Sequence, residues 1–165
     1  MNITHQHHFA APLDEVMAML TNEEFARRRA QASGADQADA LVDGDASGEV
    51  TISIRRVVPA STIPAEFRSL VGTHLDVKYT EAWEAPGQAE RVGTFALDIS
   101  GTPGRVTGAL ELKPDGEGTA FFATGRATAP VPLFGQMIEK VVADAVVRAF
   151  TAELEAADAW LAGQR

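Results

Sequence analysis

The run LFGQMIEKVVADAVVRAFTAELEAADAWLA, from Leu133 to Ala162, contains no proline and a single interior glycine, Gly135. Within it Lys140, Asp144, Arg148, Thr151, Glu155 and Asp158 recur at steps of four, four, three, four and three, which is one polar stripe on an α-helix. Ile138, Val141, Val142, Ala145, Ala149, Phe150, Leu154, Ala157 and Leu161 cover the opposite side. At 1.5 Å per residue the run makes a rod of about 45 Å. No other stretch promises an element that long, so this helix must lie across whatever the rest of the chain builds.

Working back from it, the chain from Ala38 to Thr128 reads as strands punctuated by turns. Glu49 to Val58 alternates, with Val50, Ile52 and Ile54 on one face, and Pro59 stops it. Ser61 to Val71 reads as a short helix or turn crossing the sheet edge. In Leu75 to Glu84, Leu75, Val77, Tyr79, Glu81 and Trp83 point one way. Three further strands, Arg91–Ile99, Arg105–Leu112 and Thr119–Ala127, are separated by Gly101–Gly104 and Pro114-Asp115-Gly116 turns. Such spacing predicts an antiparallel meander. Face assignment by parity is most exposed to an undetected bulge in the last strand, where Phe121 and Phe122 point opposite ways. Before the meander, Met1–Ala10 reads as a strand and Pro12 opens a first short helix. Thr21 or Asn22 caps a second helix through about Ala32.

The expected architecture is therefore α+β: a curved antiparallel sheet of about six to seven strands, two short helices, and one long C-terminal helix lying across the sheet. The 165 residues fit one domain spanning 1–165. Apolar residues at 45% and charged residues at 22% are globular proportions. A net charge of -9, from 23 acidic against 14 basic side chains, argues against nucleic acid and against docking on anionic lipid heads. Without cysteine there is no thiolate chemistry and no Cys-ligated metal. No apolar run is long enough to span a bilayer and no signal segment opens the chain, so stable membrane insertion is not expected and a cytoplasmic location is.

Several local patterns resemble a known superfamily. Phe9-Ala10-Ala11-Pro12 followed by Val16 and Leu20 is similar to the strand-to-helix junction of the helix-grip proteins, which include START domains, polyketide cyclases and aromatases, the birch pollen allergen family and coenzyme Q-binding proteins. Pro130-Val131-Pro132-Leu133-Phe134-Gly135, with Ile138-Glu139 behind it, resembles the start of their C-terminal helix. Arg55 to Pro59, Ile63-Pro64, Gly72 and Thr80-Glu81-Ala82-Trp83 resemble the signature of an uncharacterised bacterial group within that superfamily. The resemblance spans essentially the whole chain and implies a deep hydrophobic cavity between sheet and helix. It implies no shared catalytic set.

A twisted sheet curves while a long helix stays nearly straight, so the two surfaces must diverge. Small residues face the gap: Gly93, Gly108, Ala123, Gly125, Ala127, Ala145 and Ala149. They leave an apolar pocket, or else they let helix and sheet pack closely. On the pocket reading the protein is a carrier or sensor of a hydrophobic small molecule or lipid. The walls are then Val77, Tyr79, Glu81, Trp83, Phe95, Leu97, Val106, Leu110, Phe121, Ala123, Met137, Val141, Ala145 and Ala149.

Glu81 is the inward carboxylate. It is a ligand anchor or acid/base group, or it is paired with an arginine such as Arg91, or water reaches it near the strand end. Tyr79 and Trp83 stack on a ligand or fill core. His5 and His7 share a strand face, but no third ligand is fixed by spacing, so no metal is assigned. Arg27, Arg28 and Arg29 read as a solvated basic face, with an anion or partner contact as the alternative. No catalytic residue and no cofactor is assigned. The rival functions are a polyketide cyclase or aromatase-like enzyme using Glu81 with Tyr79 or His7, and a ligand-free interaction module. Ligand identity and oligomeric state are not legible.

Overall fold

The computed structural model describes residues 1–62, 65 and 68–163. The elements run β1 (Asn2–Phe9), α1 (Leu13–Leu20), α2 (Glu23–Ala32), β2 (Gln37–Gly44), β3 (Val50–Pro59), a 3-10 turn (Ala60–Thr62), α3 (Arg68–Val71), β4 (His74–Trp83), β5 (Arg91–Ile99), β6 (Arg105–Asp115), β7 (Gly118–Thr128) and α4 (Gly135–Gly163). Ile63, Pro64 and Phe67, which the sequence reading placed in the edge-crossing segment, lie outside the described residues.

The seven strands form one antiparallel sheet in the order β1-β7-β6-β5-β4-β3-β2. β2 to β7 are a plain meander, and β1 adds itself beside β7. The first and second strands thus lie at opposite edges. α1 and α2 must carry the chain from one edge to the other, and they do so across the apolar face, with Val16, Met17, Met19, Leu20, Phe25 and Ala26 buried beneath them. Asn22 caps α2 by accepting from the Phe25 backbone N–H at 3.1 Å.

Strand parity holds throughout. Val50, Ile52 and Ile54 are buried on β3; Val77, Tyr79, Glu81 and Trp83 on β4; Val106, Leu110 and Leu112 on β6. β7 pairs without a bulge on both sides, and Phe121 is inside while Phe122 is only half-buried. β6 continues to Asp115 and β7 starts at Gly118, so this hairpin runs past the Pro114 turn signal. The reversal falls at Gly116-Glu117, where Gly116 takes φ +61, which glycine adopts without a Cβ penalty.

α4 begins at Gly135 rather than Leu133, and Leu133 precedes it in a left-handed conformation, φ +70. The six residues of the expected polar stripe are all exposed. The buried face is Ala143, Val146, Phe150, Glu153, Leu154, Ala157 and Leu161. This corrects two expected inner-wall residues: Met137 is 50% exposed and Ala145 is exposed. Each sits rotated away from that face, at about 100° per residue along the helix. The backbone of α4 closes on α2, β1 and β7 and stays farther from β4, β5 and β6. The expected divergence of rod and sheet is therefore present, and it lies over the middle strands.

Candidate functional site: a buried ion cluster

Four elements send charged side chains into the divergence. Glu81 of β4 is 1% exposed, Arg29 of α2 and Glu153 of α4 each 4%, and Arg56 of β3 7%. Arg29 donates to Glu81 Oε1 at 2.5 Å and to Glu153 Oε2 at 3.4 Å. Arg56 donates to Glu153 Oε1 at 2.9 Å and to the Ser33 hydroxyl at 2.5 Å. The Tyr79 hydroxyl donates to Glu81 Oε1 at 2.7 Å, and the Trp83 indole N–H to Glu81 Oε2 at 3.1 Å. Two cations thus face two carboxylates. Charges this deep are tolerated only when paired and hydrogen-bonded.

Ionisation follows from that geometry. Burial pushes the Glu81 carboxyl up, but the Arg29 charge and the hydrogen bonds from Arg29, Tyr79 and Trp83 outweigh it, so Glu81 sits below its ordinary value. Burial first, and then the adjacent Glu81 charge, raise Tyr79 well above its ordinary value and keep it a neutral donor. Burial works against the Arg29 cation, yet Glu81 and Glu153 together hold it firmly protonated. Arg29 Nη1 and Arg56 Nε have no hydrogen-bond partner among the described residues. Both guanidinium groups lie over the Tyr79 ring, at 5.6 and 5.9 Å from its centroid, where the negative ring face compensates them in part.

This cluster corrects several sequence readings. The partner of Glu81 is Arg29, not Arg91. Arg91 instead donates to the carbonyls of Ala46, Gly48 and Glu84 and ties the β2–β3 turn to the β4–β5 turn. Of the three consecutive arginines, Arg27 and Arg28 are exposed and pair loosely with Glu23 and Glu24, but Arg29 is buried. Sequence signals for the missed members existed. Arg29 shares the buried helix face of Phe25, Ala26 and Ala30, and Arg56 continues the parity of Val50, Ile52 and Ile54. Glu153 falls three residues after Phe150 on the buried face of α4. Glu81 is thus a structural anchor, with Oε1 accepting from Arg29 and Tyr79 and Oε2 from Trp83.

Aromatic rings complete the filling. A Cβ on Gly108 would lie 2.5 Å from Phe95 Cε1, and one on Gly125 2.9 Å from Phe95 Cζ. A Cβ on Gly93 would lie 3.0 Å from the Trp83 ring. These three glycines therefore make room for rings, and close packing is the outcome there rather than an empty pocket. Phe95 meets Phe150 edge-on at 5.6 Å, and Phe150 also meets Phe121 and stacks on His5. His7 pairs with Asp158 at 2.9 Å. No group of metal-ligand residues assembles among the described residues.

The expected wall residues thus divide. Trp83, Leu110, Phe121 and Ala123 lie in the packed region beyond the rings, and Glu81 is within the cluster. Toward the start of β4, Val77 is buried; Leu97 pairs with Tyr79 and is half-buried, Val106 pairs with Leu97 and is buried, and Val141 and Ala149 are half-buried on α4. Leu75, Leu97, Ile99, Ile138 and Val142 are likewise only half-buried, although apolar. Ile138 and Val142 reach the β5–β6 turn, 4.0 and 3.9 Å from where a Cβ on Gly104 would stand, and Leu97 and Val142 pack against the buried core. A groove of about 670 Å3, lined by turn residues such as Ala46, Gln88 and Glu117 and by Met17 of α1, opens at the far end of the sheet and touches none of the expected wall residues.

The fold is the START-like helix-grip fold. Solved structures similar to the chain include a protein of Thermus thermophilus (15% identity, covering 94% of this chain and 96% of that one, TM-score 0.61). A START superfamily protein from Mycobacterium smegmatis is similar at 12% identity, 97% and 98% coverage and TM-score 0.57. A STAR-related lipid transfer protein fragment from Xanthomonas axonopodis is similar at 16% identity, 93% and 84% coverage and TM-score 0.56. No curated protein sequence matches the chain. The model of the family described as protein of unknown function (DUF2505) matches residues 4–161, and the chain belongs to that family.

Proposed function

We propose that the protein binds a hydrophobic small molecule or lipid in a trough between α4 and the middle strands, as a carrier or sensor. One observation carries this reading: the α4 backbone closes on β1, β7 and α2 but lies farther from β4–β6, and apolar side chains there, Leu97 and Val142 among them, are left half-buried. Covering apolar surface of that kind with a guest removes it from water and is favourable. The names of two structural neighbours, a START superfamily protein and a STAR-related lipid transfer protein, point the same way. A cyclase-type enzyme is less favoured, because Glu81 is buried, ion-paired to Arg29 and hydrogen-bonded by Tyr79 and Trp83. Among the described residues no helix is long and apolar enough to cross a membrane.

The test is mass spectrometry of the denatured purified protein for co-purifying apolar molecules, followed by titration of the stripped protein with the neutral dye N-phenyl-1-naphthylamine. A saturable fluorescence rise that Leu97→Trp abolishes is the expected result. No co-purifying molecule together with no saturable dye binding overturns the reading.

A further inference from the structure

We propose that Tyr79, Phe95 and Phe150 form a fixed partition that limits guest length, so that the site takes compact single-chain or one- to three-ring molecules and gains nothing from longer chains. This rests on the binding reading above and deepens it.

The partition is fixed on both sides. Phe95 lies over Gly108 and Gly125, where the missing Cβ atoms leave its ring the space it fills. Phe150 reaches from α4 to Phe95, Phe121 and His5, bridging β5, β7 and β1. Tyr79 stands 6.2 Å from Phe95, anchored by its hydrogen bond to Glu81 and faced by two guanidinium groups. Beside the rings, toward β3 and α2, is the Arg29–Glu81–Glu153–Arg56 cluster, with Glu81 level with Phe95 and Arg56 level with Val77. A guest tail crossing the partition would have to push apart rings that are packed to ordinary interior density, beside charges that already have partners.

The space left on the open side is short. Tyr79 pairs with Leu97, Val77 pairs with Ile99, and β4 begins at His74. From Tyr79 to Leu75 the strand covers about 13 Å. On the helix side, Ile138 to Ala149 covers about 16 Å. A carbon–carbon bond near 1.5 Å advances an extended chain by roughly 1.3 Å per methylene, so about ten methylenes span the floor.

The experiment is displacement of N-phenyl-1-naphthylamine by straight alkan-1-ols from six to fourteen carbons, each below its solubility limit. Every buried methylene should tighten binding by about fourfold up to about ten carbons, and longer alcohols should gain nothing further. Phe150→Ala should move the break to longer chains. Phe150→Leu, which keeps more of the packing, should move it less and serves if the alanine variant does not fold. A constant gain per methylene through fourteen carbons overturns the length limit while leaving the binding reading intact. A break that stays in place in a folded Phe150 variant also overturns it. Failure of the dye itself to bind overturns both.

Discussion

Glu81 accepts a hydrogen bond from Arg29 at 2.5 Å, although 52 residues separate the two in sequence, and both are almost fully withdrawn from water. The pair joins α2 to the middle of the sheet, and Glu153 extends it to α4. Helix, sheet and helix are thus cross-linked through one charge-balanced cluster.

Removing one member should be costly. Glu81→Leu leaves Arg29 with only the longer Glu153 contact at 3.4 Å and frees the Tyr79 and Trp83 donors. A loss of about 3–5 kcal/mol is expected for breaking a buried pair, whereas Arg29→Met with Glu81→Leu should recover much of it. Urea unfolding of both single variants and the double measures the coupling. Additive losses would show that the two residues do not act as a unit.

Acid should weaken the protein through Glu81. Its folded carboxyl is held below the ordinary 4.5, mainly because the Arg29 charge and three hydrogen-bonding neighbours overcome burial. The unfolded chain therefore takes up the proton first on acidification. The stabilisation is complete above 4.5 and is lost as pH falls through the depressed folded value. Urea midpoints measured between neutral pH and pH about 3 should fall more steeply for the wild type than for Glu81→Gln, which has no proton to gain there. Equal slopes would remove Glu81 as the source.

Gly108→Ala should destabilise the sheet. The added methyl meets the Thr124 carbonyl oxygen as well as Phe95 Cε1. Because a backbone atom is in the way, Phe95→Leu should not rescue it. A loss of about 1–3 kcal/mol by thermal or urea unfolding is expected for such overpacking. A neutral effect would mean that the β6–β7 backbone at Gly108 and Thr124 yields as well as the Phe95 ring, which would also weaken the partition.

Arg91→Lys should cost about 1.5–3 kcal/mol. A single ammonium cannot reproduce the guanidinium fork that reaches Ala46, Gly48 and Glu84 at 2.7 to 2.8 Å. Dye binding should be unchanged, because these turns lie at the far end of the sheet from the trough. Loss of binding with unchanged stability would place the ligand at the far end instead.

Much of the architecture was legible because it is written locally. Alternation in Val77, Tyr79, Glu81 and Trp83 gave the inner face of β4, and the steps of three and four from Lys140 to Asp158 gave the solvent side of α4. Both are periodicities of one segment with itself, and no distant partner alters them. The same rule placed Glu81 inside, but it named Arg91 as an example partner, and the structure supplies Arg29.

What the chain order alone could not supply is what fills the space opposite a given side chain. β1 and β2 lie at opposite sheet edges, so α2 must cross the apolar face, and only that crossing brings Arg29 above Glu81. Likewise Gly108 and Gly125 read as vacant volume along their own strands, yet Phe95 from the neighbouring strand occupies it. Direction in or out is a property of the local backbone. Occupancy belongs to elements remote in sequence, whose meeting is fixed only when the whole apolar surface is packed at once.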